Sequence, residues 1–231
     1  MSISRTVNIS CPSCGTKQDV RLYDAINVAT DPELKETLML NQLNRVDCVD
    51  CVDCELSFRV DLPLLYTDPS NNILIHWVPE NDETKREEVL AEFEEALARM
   101  NEMMPADVEP PNVRLVMTRV ELVELIYIIE AGLNHRVVEY VKYSIHTRNM
   151  EKINPSEFRL LLNVGDSTDE ELCFVKQNVQ SNELGTVLRY GRAAYDSMVE
   201  LYDENPDEFM EMFPGPCVSA RDLLLEDEEL T

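Results

Sequence analysis

Glycine is scarce, with six residues in a chain of 231. A phosphate-cradling loop needs several, so that backbone amides can close on an anion. No G-x-G-x-x-G, P-loop or G-x-S-x-G spacing occurs. Cations are in short supply too. Twenty Lys and Arg face 45 Asp and Glu, for a formal net charge of −25, and no basic cluster interrupts the excess. Such a chain repels itself and any phosphate backbone, so direct nucleic-acid binding is not expected. Long apolar runs are missing. The longest, from about Leu122 to Ile129, is broken by Glu124 and falls well short of the roughly 20 residues a membrane helix requires. The first ten residues carry Arg5 and no apolar core of a secretory signal. The expectation is a cytoplasmic protein without a membrane segment.

Cysteine is what the chain does have. Five of its seven cysteines fall in two groups, and in a reducing compartment that pattern reads as metal binding rather than disulfides. The first group is Cys11-Pro12-Ser13-Cys14-Gly15. A C-x2-C turn lets two thiolates converge on one ion, and glycine after the second Cys suits a left-handed backbone. The second group, Cys48-Val49-Asp50-Cys51-Val52-Asp53-Cys54, offers more than one pair. Cys51 and Cys54 are assigned to the metal because Cys54-Glu55-Leu56-Ser57-Phe58 steps into a strand, as a ribbon knuckle does. Cys48 is then an alternate ligand. Four thiolates point to one structural zinc ion and leave no open position for catalysis. An iron–sulfur cluster on the C-x2-C-x2-C run plus one distant Cys is the alternative, although no C-x3-C-P ending follows Cys54.

Periodicity outlines the rest. Val7 to Ser10 reads as a strand leading into Cys11. Asp31-Pro32-Glu33 predicts a helix to about Leu40 that buries Leu34 and Leu38. Phe58, Val60 and Leu62 alternate as in a strand, and Asp68-Pro69-Ser70-Asn71-Asn72 is a turn before a strand at Ile73 to Val78. Glu80 to Met104 is an amphipathic helix with Val89, Phe93, Leu97, Met100 and Met104 on one face and glutamates on the other. This stripe reads as core-facing, or else as a partner-binding surface. Glu109-Pro110-Pro111 divides the chain. Beyond it, Thr118-Arg119-Val120-Glu121 is a capping box for a helix stopping at Gly132. A second helix spans about Asn134 to His146. Strands at Phe158–Val164 and Leu172–Gln177 pair across Gly165-Asp166-Ser167. A helix is expected from about Thr186 to Tyr202, with Val187, Tyr190, Ala194, Met198 and Leu201 inward, then a short helix from Pro206 to Phe213, and a frayed acidic tail after Ser219.

The front half resembles the CpXC-domain family of bacterial and archaeal proteins. The resemblance lies in Cys11-Pro12-Ser13-Cys14-Gly15, Arg21 to Asn27, Asp31-Pro32-Glu33-Leu34, Cys51 to Cys54, Phe58-Arg59-Val60, Pro63 to Tyr66 and Ile75-His76-Trp77. The family pattern is two C-P-x-C motifs flanking a helical stretch; here Val52 stands for the second proline and Glu55 for the glycine after it. The resemblance implies zinc and no particular reaction.

The expected fold is α+β: a zinc ribbon with a helical insert at residues 1–79, an acidic helix and linker at 80–109, a mixed helix/strand domain at 112–218, and an acidic tail at 219–231. The expected function is a non-catalytic, zinc-binding interaction or regulatory protein with a protein partner, possibly a basic one. An enzyme with a site in the C-terminal half, around His135, His146 or Cys217, and an acidic nucleic-acid mimic are the alternatives. His76 reads as a packed or surface side chain, His135 and His146 as surface or capping residues, and Cys173 as core.

Overall fold

The computed structural model describes residues 1–49, 54–79, 86–105 and 107–229; Cys51 and the first turn of the helix expected at Glu80 lie outside them. Among the described residues the chain is mixed α+β, with seven α-helices and ten strands in three sheets. It divides into two compact units, Met1–Leu122 and Val123–Thr231.

In the first unit, β1 (Ile3–Ser10) and β2 (Lys17–Asn27) form an antiparallel hairpin around the Cys11–Gly15 turn. The full length of β2 is not evident in the sequence, because polar Gln18 and Asp24 share the face of Val20, Leu22 and Ile26. Helix α1 (Pro32–Met39) follows, with Leu34 and Leu38 buried as the spacing predicts. Asp31 occupies the N-cap position, yet its side chain does not cap α1. It accepts instead from the Ser2 N–H at 3.1 Å and the Thr30 hydroxyl at 2.6 Å, tying the start of β1 to the helix entrance. Strands β3 (Arg45–Asp47) and β4 (Ser57–Arg59) pair as a short ribbon. The expected strand through Leu62 is thus cut to three residues, and a separate β5 (Leu64–Asp68) follows. Asp68 accepts from the Ser70 N–H at 3.0 Å to make the turn into β6 (Ile73–Trp77). Helix α2 (Arg86–Met103) precedes β7 (Asn112–Val116).

The main sheet has the order β1-β2-β5-β6-β7. β7 lies beyond Glu109-Pro110-Pro111, where the sequence is divided, yet it pairs in parallel with β6 and so belongs to the first unit. One face buries Leu64, Tyr66, Ile73, Ile75 and Trp77. The other presents Leu65, Leu74, His76 and Val113 to Val89, Phe93 and Leu97 of α2. None of the α2 residues is fully buried. Helix and sheet enclose a half-open cavity of about 480 Å³. Closed and dry, an apolar void of that size would cost on the order of 10 kcal/mol, comparable with the whole stability of a domain.

The chain passes into the second unit within α3 (Arg119–Glu130). Its capping box forms as read: the Glu121 N–H donates to Thr118 Oγ1 at 3.3 Å, and the Thr118 N–H to Glu121 Oε2 at 3.0 Å. Gly132, at φ +66°, ends it. Helix α4 (His135–Arg148) is capped by Asn134, which accepts from the Val137 N–H. β8 (Phe158–Leu162) and β9 (Glu171–Asn178) pair antiparallel, as expected. The next segment differs from expectation. Leu184–Gly191 is a strand, β10, on the outer edge of β9, and helix α5 (Arg192–Glu204) starts only after Gly191. Thr186, Val187 and Tyr190 are β-formers, and pairing with β9 outweighs their helical spacing. Consequently Ala194 and Leu201 are exposed, whereas Tyr195 is buried and Met198 half-buried. The core gathers Ile128, Val137, Val141, Leu172, Phe174, Tyr195 and Phe209, the last from α6 (Pro206–Met212). The tail is not frayed at its start. Helix α7 (Ala220–Glu229) buries Ala220 and Leu224, and the Arg221 guanidinium donates to Pro155 O at 2.7 Å.

Candidate metal centre

The β1–β2 turn makes the first knuckle. The Gly15 N–H donates to Cys11 O and the Cys11 N–H to Thr16 O, both at 2.9 Å, and Gly15 takes φ +73°. A side chain there meets no atoms but would be forced into the left-handed region, which explains the glycine. The second knuckle hangs from the β3–β4 ribbon, where the Cys48 N–H donates to Leu56 O at 2.9 Å.

Two buried amides fix the distance between the knuckles. Gln18 in β2 donates to Asp47 O at 2.8 Å and accepts from the Val49 N–H at 3.3 Å, so it grips the backbone on both sides of Cys48. Asn44 accepts from the Tyr23 N–H at 2.8 Å and donates to Tyr23 O at 3.0 Å, completing β2 as a strand partner would. Neither role could be read from the sequence, because a lone polar residue gives no sign of which backbone it will meet.

Four sulfurs converge. Cys11 Sγ lies 3.7 Å from Cys54 Sγ and Cys14 Sγ 3.6 Å from Cys48 Sγ, and all four are within 4.8 Å of one another. Cys11 and Cys48 are buried and Cys14 is exposed. A tetrahedral ion with metal–sulfur bonds of about 2.3 Å sets its ligands about 3.8 Å apart, so the quartet fits a single ion. Among the described residues, Cys48 is the fourth member beside Cys11, Cys14 and Cys54.

The four thiols differ in acidity. Cys14 is lowered to about 6, first by the Thr16 hydroxyl 3.3 Å from its sulfur and then by the Thr16 backbone. Cys48 is raised, chiefly by burial and then by the adjoining Cys14 sulfur. Cys54 is raised as well: the Leu56 backbone acts to lower it, but burial and the neighbouring Cys11 sulfur outweigh that. Crowded sulfurs cannot all carry charge without a cation between them, and a divalent ion supplies that charge.

The remaining candidates are placed elsewhere. His76 lies on β6 with its ring 5.6 Å from that of Phe93, and burial lowers its pKa. His146 is a core side chain rather than a surface one. It is 1% exposed, and its Nδ1 donates to Ile153 O at 2.8 Å. His135 begins α4 with its Nε2 3.8 Å from Glu139 Oε1. Cys173 is buried in β9, as expected, and Cys217 is partly exposed. The second unit also holds a buried charge cluster with no clear sequence signal: Lys142 Nζ is 2.7 Å from Glu124 and 2.6 Å from Glu139.

Four cysteines close enough to share one metal ion, on an α+β unit whose main sheet has five strands, define a protein with a candidate cysteine metal site. The chain belongs to the CpXC protein family, whose model matches residues 9–142. That match takes in all four converging cysteines and the whole main sheet beyond Ile9, and ends at Lys142. No curated protein and no solved structure matches the chain.

Proposed function

We propose that Cys11, Cys14, Cys48 and Cys54 hold one structural zinc ion in a ribbon-like centre, and that the CpXC unit is a non-catalytic interaction module. The observation that carries this reading is the sulfur quartet, with separations of 3.6 and 3.7 Å. Those distances suit one shared ion. A multi-iron cluster interposes several atoms and keeps its thiolates farther apart. A closed shell of four thiolates leaves no position for water or substrate, which favours a structural role. Cys11 and Cys14 sit at the turn of the β1–β2 hairpin, and Cys48 and Cys54 flank the short β3–β4 ribbon, an arrangement akin to a zinc ribbon. The net charge of −25 supports a basic protein as partner, in the cytoplasm, and disfavours direct contact with nucleic acid.

Elemental analysis tests the reading. The purified chain is expected to carry one zinc and no iron. Cys14→Ser and Cys48→Ser should each lose most of the metal, whereas Cys51→Ser should keep it. Iron with sulfide in the wild type, or full zinc in Cys48→Ser, would overturn the assignment.

A further inference from the structure

The cavity between α2 and the main sheet is large for a helix–sheet interface, and it is separate from the cysteine centre. Its floor is Leu65, Leu74, His76 and Val113, and its roof includes Phe93 and Leu97. A volume of about 480 Å³ lies within the range of small-molecule sites, which are mostly apolar with a few fixed polar groups. Here the polar groups are two. Burial lowers the pKa of His76 and so favours its neutral ring, which can exchange one hydrogen bond with a ligand. Glu92 stands on the lining, on a helix that also exposes Glu87, Glu88, Glu94 and Glu95.

These features narrow the occupant. Apolar walls hold water poorly, so solvent is a weak filling. Acidic side chains at the lining and along α2, in a chain of net charge −25, repel anions such as fatty carboxylates or phosphates. Among the described lining residues Glu92 is the one carboxylate, and it is exposed, so a cation would find no buried partner. We infer that the space between α2 and the sheet is a binding site for an uncharged, largely apolar small molecule carrying one hydrogen-bonding group for His76. This inference does not rest on the metal reading.

Fluorescence titration of the full chain with two matched dyes tests it: N-phenyl-1-naphthylamine, which is neutral, and 1-anilinonaphthalene-8-sulfonate, which adds a negative charge to a similar ring system. The neutral dye should bind saturably at one per chain, and the sulfonate at least tenfold more weakly. Leu74→Trp fills the floor and should weaken the neutral dye tenfold or more without lowering the melting temperature. Should Leu74→Trp unfold, Ala96→Trp reaches the same space from the exposed helix and should do the same. Absent or non-saturable binding would overturn the inference, as would tighter binding of the sulfonate or wild-type affinity in the folded variants. So would a chain that self-associates and takes up dye only when diluted to monomer, because the occupant would then be a second copy.

Discussion

Lys142 stands at the centre of a buried charge cluster. It is 5% exposed and shared by two carboxylates, Glu124 and Glu139. Each carboxylate has a further duty: Glu124 accepts from the Leu162 N–H of β8, and Glu139 Oε2 from the Ala220 N–H at 2.8 Å, where α7 begins. One cation cannot neutralise two anions. Burial therefore raises Glu124 to about 7, with Glu139 adding to the rise and Lys142 opposing it. Lys142 itself is raised, since its two carboxylates outweigh the burial that opposes its charge. Replacing Lys142 with Met leaves two buried carboxylates facing each other and should cost about 3–5 kcal/mol, read by urea denaturation. A loss under about 1 kcal/mol would mean that the cluster is solvated. The pH dependence has a definite sign. The folded pKa of Glu124 stands above its ordinary 4.5, so the folded chain holds an extra proton between about pH 4.5 and 7. That contribution is whole below the window and is lost as pH rises through about 7. The groups facing it are Lys142 and Glu139, with His135 beyond at 3.8 Å from Glu139. Glu124→Gln has no such proton. Thermal melts should show wild type losing stability relative to this variant from pH 5 to 8, on the order of 2 kcal/mol. A flat or rising difference would contradict the assignment.

At the scale of single elements, local chemistry and tertiary pairing compete. α3 is set by local chemistry, because Thr118 and Glu121 exchange hydrogen bonds across its first turn. Thr118→Ala should cost about 1 kcal/mol in chemical denaturation, and Thr118→Ser should restore most of it. Residues 184–191 go the other way. Their spacing suits a helix, but β9 would otherwise be left with an open edge, and Leu188 and Tyr190 pack on the core of the second unit. α7 is a similar case. An acidic C-terminal segment reads as loose until Glu139 and Pro155 O are seen to anchor its first turn. α2 stands between these extremes: its stripe is apolar and faces the sheet, yet it stays half-exposed because the interface does not close.

For the whole molecule, each of the two units has a core of its own, and the cysteine centre belongs to the first. A zinc ion there would stabilise the first unit by binding only its folded form. Treating the zinc-loaded chain with a strong chelator is therefore expected to lower the unfolding temperature of the first unit, followed through the environment of its buried Trp77. The core around Phe174 in the second unit should keep its own transition, followed by hydrogen exchange. A shift of both transitions by the same amount would show that the two units unfold as one.

Much of this was legible in the residues themselves. Cysteine spacing announced a cluster able to hold a metal, the resemblance of several front-half motifs announced the CpXC family, and α1, the α3 cap, Gly132 and the β8–β9 hairpin followed from propensity and turn chemistry acting over a few residues. Which cysteines meet was a different kind of question. Cys48, Cys51 and Cys54 repeat at equal intervals, so spacing could not rank them. Gln18 and Asn44 hold β3 beside β2 from far along the chain and bring Cys48 to the other sulfurs. The buried Glu124–Lys142–Glu139 cluster, the edge strand β10 and the cavity under α2 were likewise decided only in three dimensions. Each depends on what lies across a gap rather than along the chain, and local periodicity carries no information about that.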